Sequence, residues 1–498
     1  MMRKLVVLAA ALCSVLAISA FAAVSVAAAA KPGHAVLGTA AAQGIWGSAE
    51  QVPGLAALAG TGDSAVNAVS CATAGNCSAG GFYHTGGASQ CCQSEAFVVS
   101  EVDGVWGTAL EVPGVANLNQ AGDAGVTSVS CSSPGNCVAG GDYTSGYLPG
   151  GSVRTTSAFV VSQVNGTWGT AREAPGIAAL NTGGQAGITS VSCSSPGDCS
   201  AGGFYDIFST PGCCRSAGFG ISLVDGTWRR ARKIPGTIAK IGVTGGIDAV
   251  SCASAGNCGA AAKRVVSQVN GVWGAARSVA VPRGSGLWPA WMRTISCAAP
   301  GDCSAGGLAI REERSVVVSQ VRGVWGTARE IRGTVGLIKG QRSLVASVSC
   351  ARPGDCTAVG YGYRQTAAGS STREFSVPYL AVQRNGSWRR AEQVPGISSL
   401  SKFGYTVLTS VSCASPGNCA AAGHYSTSTY NPEGTGPGQA FVLNKINGTW
   451  GTPHVVTLAL GNDGPAQISV ACPASGKCSA AGYYYSGTQQ RGFVVSQS

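Results

Sequence analysis

Two cysteines separated by five residues occur eight times in this chain. The pairs are Cys71 and Cys77, Cys131 and Cys137, Cys193 and Cys199, Cys252 and Cys258, Cys297 and Cys303, Cys350 and Cys356, Cys413 and Cys419, and Cys472 and Cys478. Two further signals recur in step with them. One is an apolar run such as Ala158 to Val164. The other is a turn followed by a tryptophan, at Trp46, Trp106, Trp168, Trp228, Trp273, Trp325, Trp388 and Trp450. Three motifs with the same count of eight define eight copies of one unit, and a repeat array grows by adding units to one body.

Each unit reads as four strands. In the second, Val126 to Cys131 has strand composition (strand a). A five-residue turn with Pro134-Gly135 leads to Cys137 to Tyr143 (strand b). Ala158 to Val164 (strand c) is apolar enough for burial on both faces, and Asn165-Gly166 is the signature of a type I′ hairpin. Thr167 onward is strand d, ending near Pro175-Gly176. The cysteines flank the a–b turn, so each pair is expected to bridge one hairpin. A four-stranded sheet with two apolar faces needs a neighbour on each side, and a closed ring supplies both. The first strand d, Ile45 to Val52, precedes any a, b or c strand, and the last unit ends Gly492 to Ser498 with no d. The expected fold is all-β: an eight-bladed β-propeller of four-stranded antiparallel blades, the last closed by the N-terminal strand.

Composition agrees. Of 498 residues 74 are Gly and only 11% are charged, against roughly 25% in an average soluble domain. Residues 1–30 read as a signal peptide, with Arg3 and Lys4 before the uncharged run Leu5 to Val26 and small residues after it. Residues 31–43 read as a linker and 44–498 as the propeller. No second hydrophobic span follows, so no membrane span is expected once the signal is removed. Twenty of the 21 cysteines lie beyond the signal. An even number there implies an oxidised framework and a secreted, extracellular protein.

The end of strand b, Val138-Ala139-Gly140-Gly141 followed by Tyr143, and then Trp168 after an apolar strand and a turn, resemble the kelch repeat. That repeat places a double glycine, a Tyr and a Trp in this order and forms propeller blades. The chain also resembles exported bacterial proteins that carry this cysteine repeat, a group with no assigned activity. Blades 4, 6, 7 and 8 lack the double glycine.

Chemistry is sparse. There is no Gly-x-Ser-x-Gly, no His-Glu-x-x-His, no P-loop and no Cys-x2-Cys. His84, His424 and His454 come from different blades and different positions in the unit, so neither a metal nor a cofactor is expected. Most carboxylates recur in register: Asp198, Asp302 and Asp355 stand where other units have Asn76, Asn136, Asn257 and Asn418, and Glu111, Glu173 and Glu330 recur in strand d. Such residues build blades. The net charge of +11 draws on Arg172, Arg229, Arg230, Arg232, Arg277, Arg329, Arg389 and Arg390 of strand d, read as solvated edge charge. No aromatic interleaving points to nucleic acid.

The a–b and c–d turns repeat, whereas the b–c and d–a connections on the opposite face vary in length. Variable loops on a rigid scaffold are where binding usually resides. The candidate ligand-binding residues there are Trp288, Trp291, Tyr147, Phe208 and Tyr430. Cys91-Cys92 and Cys213-Cys214 sit in b–c loops, as two vicinal disulfides or a cross-bridge. The leading expectation is a monomeric, non-catalytic binding or scaffold propeller taking an extracellular glycan or cell-wall polymer, and not an enzyme. A glycan hydrolase or lyase, and a purely structural surface protein, are the alternatives.

Overall fold

The computed structural model describes residues 44–85, 93–120, 122–148, 151, 153–210, 213–239, 245–282, 290–311, 313–340, 342–368, 371–400, 402, 404–427, 438–457 and 467–498. The expected signal and linker lie outside them. The described chain forms eight antiparallel sheets in sequence order. In blade 1 the strands are a, Ser64–Thr73; b, Asn76–His84; c, Ser94–Val102; and d, split into Val105–Trp106 and Leu110–Glu111. The a strands of blades 2 to 8 are Ala124–Ser133, Ala186–Ser195, Ala249–Ser254, Ala290–Ala299, Arg342–Arg352, Thr406–Ser415 and Gln467–Ala474. Each touches the a strand before and after it, and the last touches the first. Strand a is therefore innermost and the ring is closed.

Closure uses the strand expected for it. Glu50–Gln51 pairs with Gln489–Ser496 as the fourth strand of blade 8, with Glu50 opposite Val494 and Gln51 opposite Phe493. Trp46 and Ala49 pack with Val442 and Val470 of blades 7 and 8. Val52 and Leu55 pack with Val66 and Phe97 of blade 1 and Val494 of blade 8. The cores of the molecule are of this kind, seams between neighbouring blades. Val138 and Val160 of blade 2, for example, share one with Ile188, Val191 and Phe219 of blade 3.

All eight expected hairpin disulfides are present. Cys71 is bonded to Cys77, Cys131 to Cys137, Cys193 to Cys199 and Cys252 to Cys258. Cys297 is bonded to Cys303, Cys350 to Cys356, Cys413 to Cys419 and Cys472 to Cys478. A loop this short constrains the unfolded chain by roughly 2 kcal/mol per bridge. These sixteen cysteines are structural. Each bridge clips one a–b hairpin and lies buried in the blade, so Cys258, Cys303, Cys478 and their equivalents offer no thiol to a ligand. The a–b turn is tighter than the expected five residues. Thr73 pairs with Asn76, which leaves Ala74-Gly75, and a bulge after Cys71 absorbs the extra residue. Strand d is also shorter than expected, because Gly107 to Ala109 separates its two pieces. Asn165 and Gly166 have φ of 49° and 85°, as the type I′ reading requires.

The double glycine has a steric cause at its second position. Strand a of blade 1 bulges at Asn67, and a Cβ on Gly81 would lie 1.8 Å from the Ala65 carbonyl oxygen.

One buried polar bridge recurs between blades. Near the end of strand c stands a glutamine: Gln163, Gln268, Gln320, Gln383 and Gln497, all buried. Gln163 Nε2 donates to Ser100 Oγ of blade 1 at 3.0 Å, and Ser78 Oγ donates to its Oε1 at 3.4 Å. Gln268 makes the same two bonds to Ser222 and Ser200, and Gln383 to Ser319 and Ser304. Blade 1 has Glu101 at this place. It accepts from Ser496 Oγ at 2.7 Å and Ser479 Oγ at 3.1 Å across the closing seam. Burial raises its pKa, against those two hydrogen bonds.

Candidate ligand-binding rim

The loop residues singled out from sequence are dispersed. Tyr147 and Phe208 are exposed, near the ends of the extended b strands of blades 2 and 3, Asn136–Tyr147 and Asp198–Thr210. Trp291 is not in a connection. It is the second residue of strand a in blade 5, opposite Leu308 and half-buried, with the Lys263 ammonium 4.6 Å above its ring. Trp288, Tyr430, Cys91 and Cys92 lie outside the described residues. Cys213 and Cys214 begin strand c of blade 3, and their pairing also lies outside what is described. All eight arginines noted in strand d are exposed.

A different set of residues recurs at one place in the blades, beside the innermost strands. The fifth residue after the second cysteine of each unit follows the double-glycine position of strand b, on the side of the b–c and d–a connections. In chain order it is Phe82, Asp142, Phe204, Lys263, Leu308, Tyr361, His424 and Tyr483, each half-buried. The side chains of the first blades lean across the seams onto the next inner strand. A Cβ on Gly125 of blade 2 would lie 3.5 Å from Phe82 Cβ. A Cβ on Gly187 of blade 3 would lie 3.2 Å from Asp142 Cβ and 3.1 Å from the Phe204 ring. Asp142 thus shares its surroundings with Phe204, and its carboxyl makes no hydrogen bond among the described residues. Burial, reinforced by the Asp123 carboxylate, pushes it up to about 7.

The other half of the rim is aromatic and basic. Asp248 is pushed up to about 6 by burial, opposed by Arg293 and Lys263. Tyr361 meets Tyr363 edge-on at 5.6 Å, Tyr405 lies against His424 at 5.7 Å, and Tyr483 meets Tyr485 at 6.1 Å. Burial holds His424 down at about 4, so the imidazole is neutral above that pH. Burial also pushes Tyr405 and Tyr483 up to about 12, with neighbouring tyrosines adding to it. At neutral pH these phenols keep their protons and can donate hydrogen bonds.

The His84 ring lies tilted against Phe82, with centroids 5.4 Å apart. Among the described residues the one cluster with metal-ligand geometry is Cys71, Cys77 and Glu101, and its two cysteines are bonded to each other. The repeated glutamates serve the blades: Tyr83 Oη donates to Glu111 at 2.8 Å and Ser157 Oγ to Glu173 at 2.6 Å.

No protein-family model matches the chain, and neither does any curated protein. Solved structures do. A protein of unknown function from Dyadobacter fermentans is 11% identical, with 73% of this chain and 92% of that one covered at a TM-score of 0.39. A Hadza microbial sialidase is 12% identical, covering 81% and 73% at 0.38. An ulvan lyase of a polysaccharide lyase family is 9% identical, covering 92% and 94% at 0.38. Likeness at this level leaves ligand and activity to be argued from the residues themselves.

Proposed function

We propose that this is a secreted binding propeller that takes a carbohydrate or cell-wall polymer on the rim, without catalysis. One observation carries the reading. A unit that repeats its turns and bridges around the ring puts six residue types into the eight rim places, four of them Phe or Tyr. Aromatic faces stack on the apolar faces of sugar rings, while carboxyl, phenol and ammonium groups meet hydroxyls. Eight disulfides belong to an oxidising compartment. No helix of the described residues is long and apolar enough to cross a membrane.

The test is a glycan array with the purified protein, followed by titration of any hit against the double variant Tyr361→Ala with Tyr483→Ala. The double variant should bind about tenfold or more weakly, because stacking contacts of this kind contribute on the order of 1 kcal/mol each. An array without hits, or a double variant that binds like the parent, overturns the reading.

A second reading, a glycan hydrolase, is favoured by Asp142 alone, a carboxyl half-protonated near neutral pH as a general acid must be. Release of reducing ends from the array's hits, abolished by Asp142→Asn, would replace the first reading with the second.

A further inference from the structure

On the face opposite the rim, the seam between blades 6 and 7 departs from the repeat at three places. At the bridging position Lys445 replaces glutamine. At the end of strand c, where other blades have Val102, Val164, Val224, Val269 and Val321, blade 6 has Arg384. In the a–b turn Arg352 stands where blades 2, 3 and 7 have Ser133, Ser195 and Ser415. Far apart in the chain, all three line one groove of about 300 Å³, together with Asp355, Asn385 and Asn447.

Lys445 is the informative member. Its side chain is buried, with the residue only 2% exposed. One bridge partner used elsewhere is missing and the other is changed, because blade 6 offers Val382 and Thr357 in place of the two serines, and the Thr357 hydroxyl lies 3.6 Å from Cys419 Sγ. The ammonium makes neither a hydrogen bond nor an ion pair among the described residues, and its nearest aromatic contact is the Trp450 ring at 5.5 Å. Of the other two cations, Arg352 is held by Asp355 at 2.6 Å, while Arg384 is exposed and without an ion pair among the described residues. A lysine whose stem is buried and whose ammonium finds no acceptor in the protein has lost solvation that only solvent or an anion in the groove can return. Burial and Arg384 both push Lys445 below the ordinary lysine range, with Glu392 opposing.

We propose that this groove is an oxyanion site, with Lys445 the buried anchor and Arg384 the second cation, and that its ligand is a sulfate or carboxylate group. The volume admits a free ion or one acidic sugar unit. The site lies on the opposite face from the rim and does not depend on the function proposed for it. A larger groove of about 510 Å³ between blades 3 and 4 gathers Arg229, Arg230 and Arg232 around Leu223 and Trp273. It has no buried cation among the described residues, so the proposal does not extend to it.

The repeat itself supplies the test variants. Lys445→Gln and Arg384→Val restore the residues that other blades carry, so both should fold, as circular dichroism and melting would verify. The parent and both variants are titrated calorimetrically with sodium sulfate and, separately, with sodium glucuronate, at ionic strength held constant with chloride. Saturable binding of at least one anion to the parent is expected. Lys445→Gln should weaken it on the order of tenfold to a hundredfold, as for loss of a charged hydrogen bond, and Arg384→Val should weaken it less. Binding of both anions identifies a free oxyanion as sufficient, and binding of glucuronate alone identifies an acidic sugar. Absence of saturable binding by the parent, or a folded Lys445→Gln that binds equally well, overturns the site.

Discussion

On one face of the ring, the Gly166 amide of a c–d turn donates to the Gly135 carbonyl of the a–b turn at 2.9 Å. The same bond recurs from Gly104 to Gly75, Gly271 to Gly256, Gly323 to Gly301, Gly386 to Gly354 and Gly448 to Gly417. Asn136 Oδ1 accepts from the Asn165 amide, and Asn257, Asp302 and Asn418 do the same in their blades. This is why that position is Asn or Asp in blades 1 to 7, whereas blade 8, whose fourth strand comes from the other end of the propeller, has Lys477. On the other face, the same blades present Phe82, Asp142, Tyr361 or His424, and His424 Nδ1 is buried there without a hydrogen-bond partner among the described residues. Apart from the seam of blades 6 and 7, the turn face commits these polar groups to its own backbone, whereas on the rim the Asp142 carboxyl and His424 Nδ1 have no hydrogen-bond partner among the described residues. A repeat therefore divides labour by position along the strand, with one end kept uniform for stability at every seam but that of blades 6 and 7, and the other released to vary.

The contrast requires a rigid ring, so the largest effect should come from opening it. Deleting residues 44–52 removes Trp46, Ala49 and Val52 from two seams. The loss should be several kcal/mol, as for multiple large-to-small core changes, read as a drop in melting temperature. An unchanged melting point would show that blade 8 closes without its fourth strand.

The next effect tests the rim. Asp142 has a raised pKa in the folded state, so the stability it allows is fully present below the unfolded carboxyl range. That stability is lost as pH rises toward and through about 7. Asp142→Asn should therefore melt higher than the parent at pH 8, by a few kcal/mol at most, with the gap closing toward pH 4. A gap that does not change with pH would show that the carboxyl is already satisfied there.

A substitution on the turn face should behave differently. Gly166→Ala puts a side chain on a residue with φ of 85°. It should cost about 1–2 kcal/mol in chemical denaturation at any pH and leave glycan binding by the rim unaltered. A specific loss of binding would erase the distinction between the faces. The smallest effect is expected at the closing seam. Glu101→Gln installs the glutamine of the other seams between the same kind of serine pair. With its pKa raised, Glu101 favours folding most when protonated, so the variant should gain on the order of 1 kcal/mol at neutral pH and nothing in acid. Parallel melting curves of the two proteins across pH 3–8 would refute this.

The number of blades, their hairpin disulfides, the type I′ turns and the composite last blade were all legible in the sequence, because each is written within a few neighbouring residues and repeated. The rim was not. Attention to loop length led to Tyr147 and Phe208, whereas the ring that gathers is a column in the repeat, the fifth residue after Cys77, Cys137, Cys199, Cys258, Cys303, Cys356, Cys419 and Cys478. Aligning the units would have exposed that column, but only the inner position of strand a shows that this part of strand b lies next to the innermost strands. Trp291 departs from the expected connection for a related reason: strand a of blade 5 begins at Ala290, earlier than the turn-rich sequence before it suggests. The substitution of Lys445 for glutamine was equally visible and equally mute, since its meaning depends on which serines the preceding blade brings across the seam.

The composite blade has a consequence for how the molecule comes into being. Gln497 Nε2 donates to the Gly44 carbonyl across 453 residues of chain. In chain order the first strand precedes every sheet, and the strand that it pairs with is the last one. Seven blades can assemble behind the first strand, each on its predecessor, while Trp46 and Val52 still lack the blade 8 side of their seams. Residues 489–496 are the last piece, and only their arrival lets the ring lock. The ring cannot close without residues 489–496, and a copy that lacks them carries an unlatched edge open to whatever binds exposed strands.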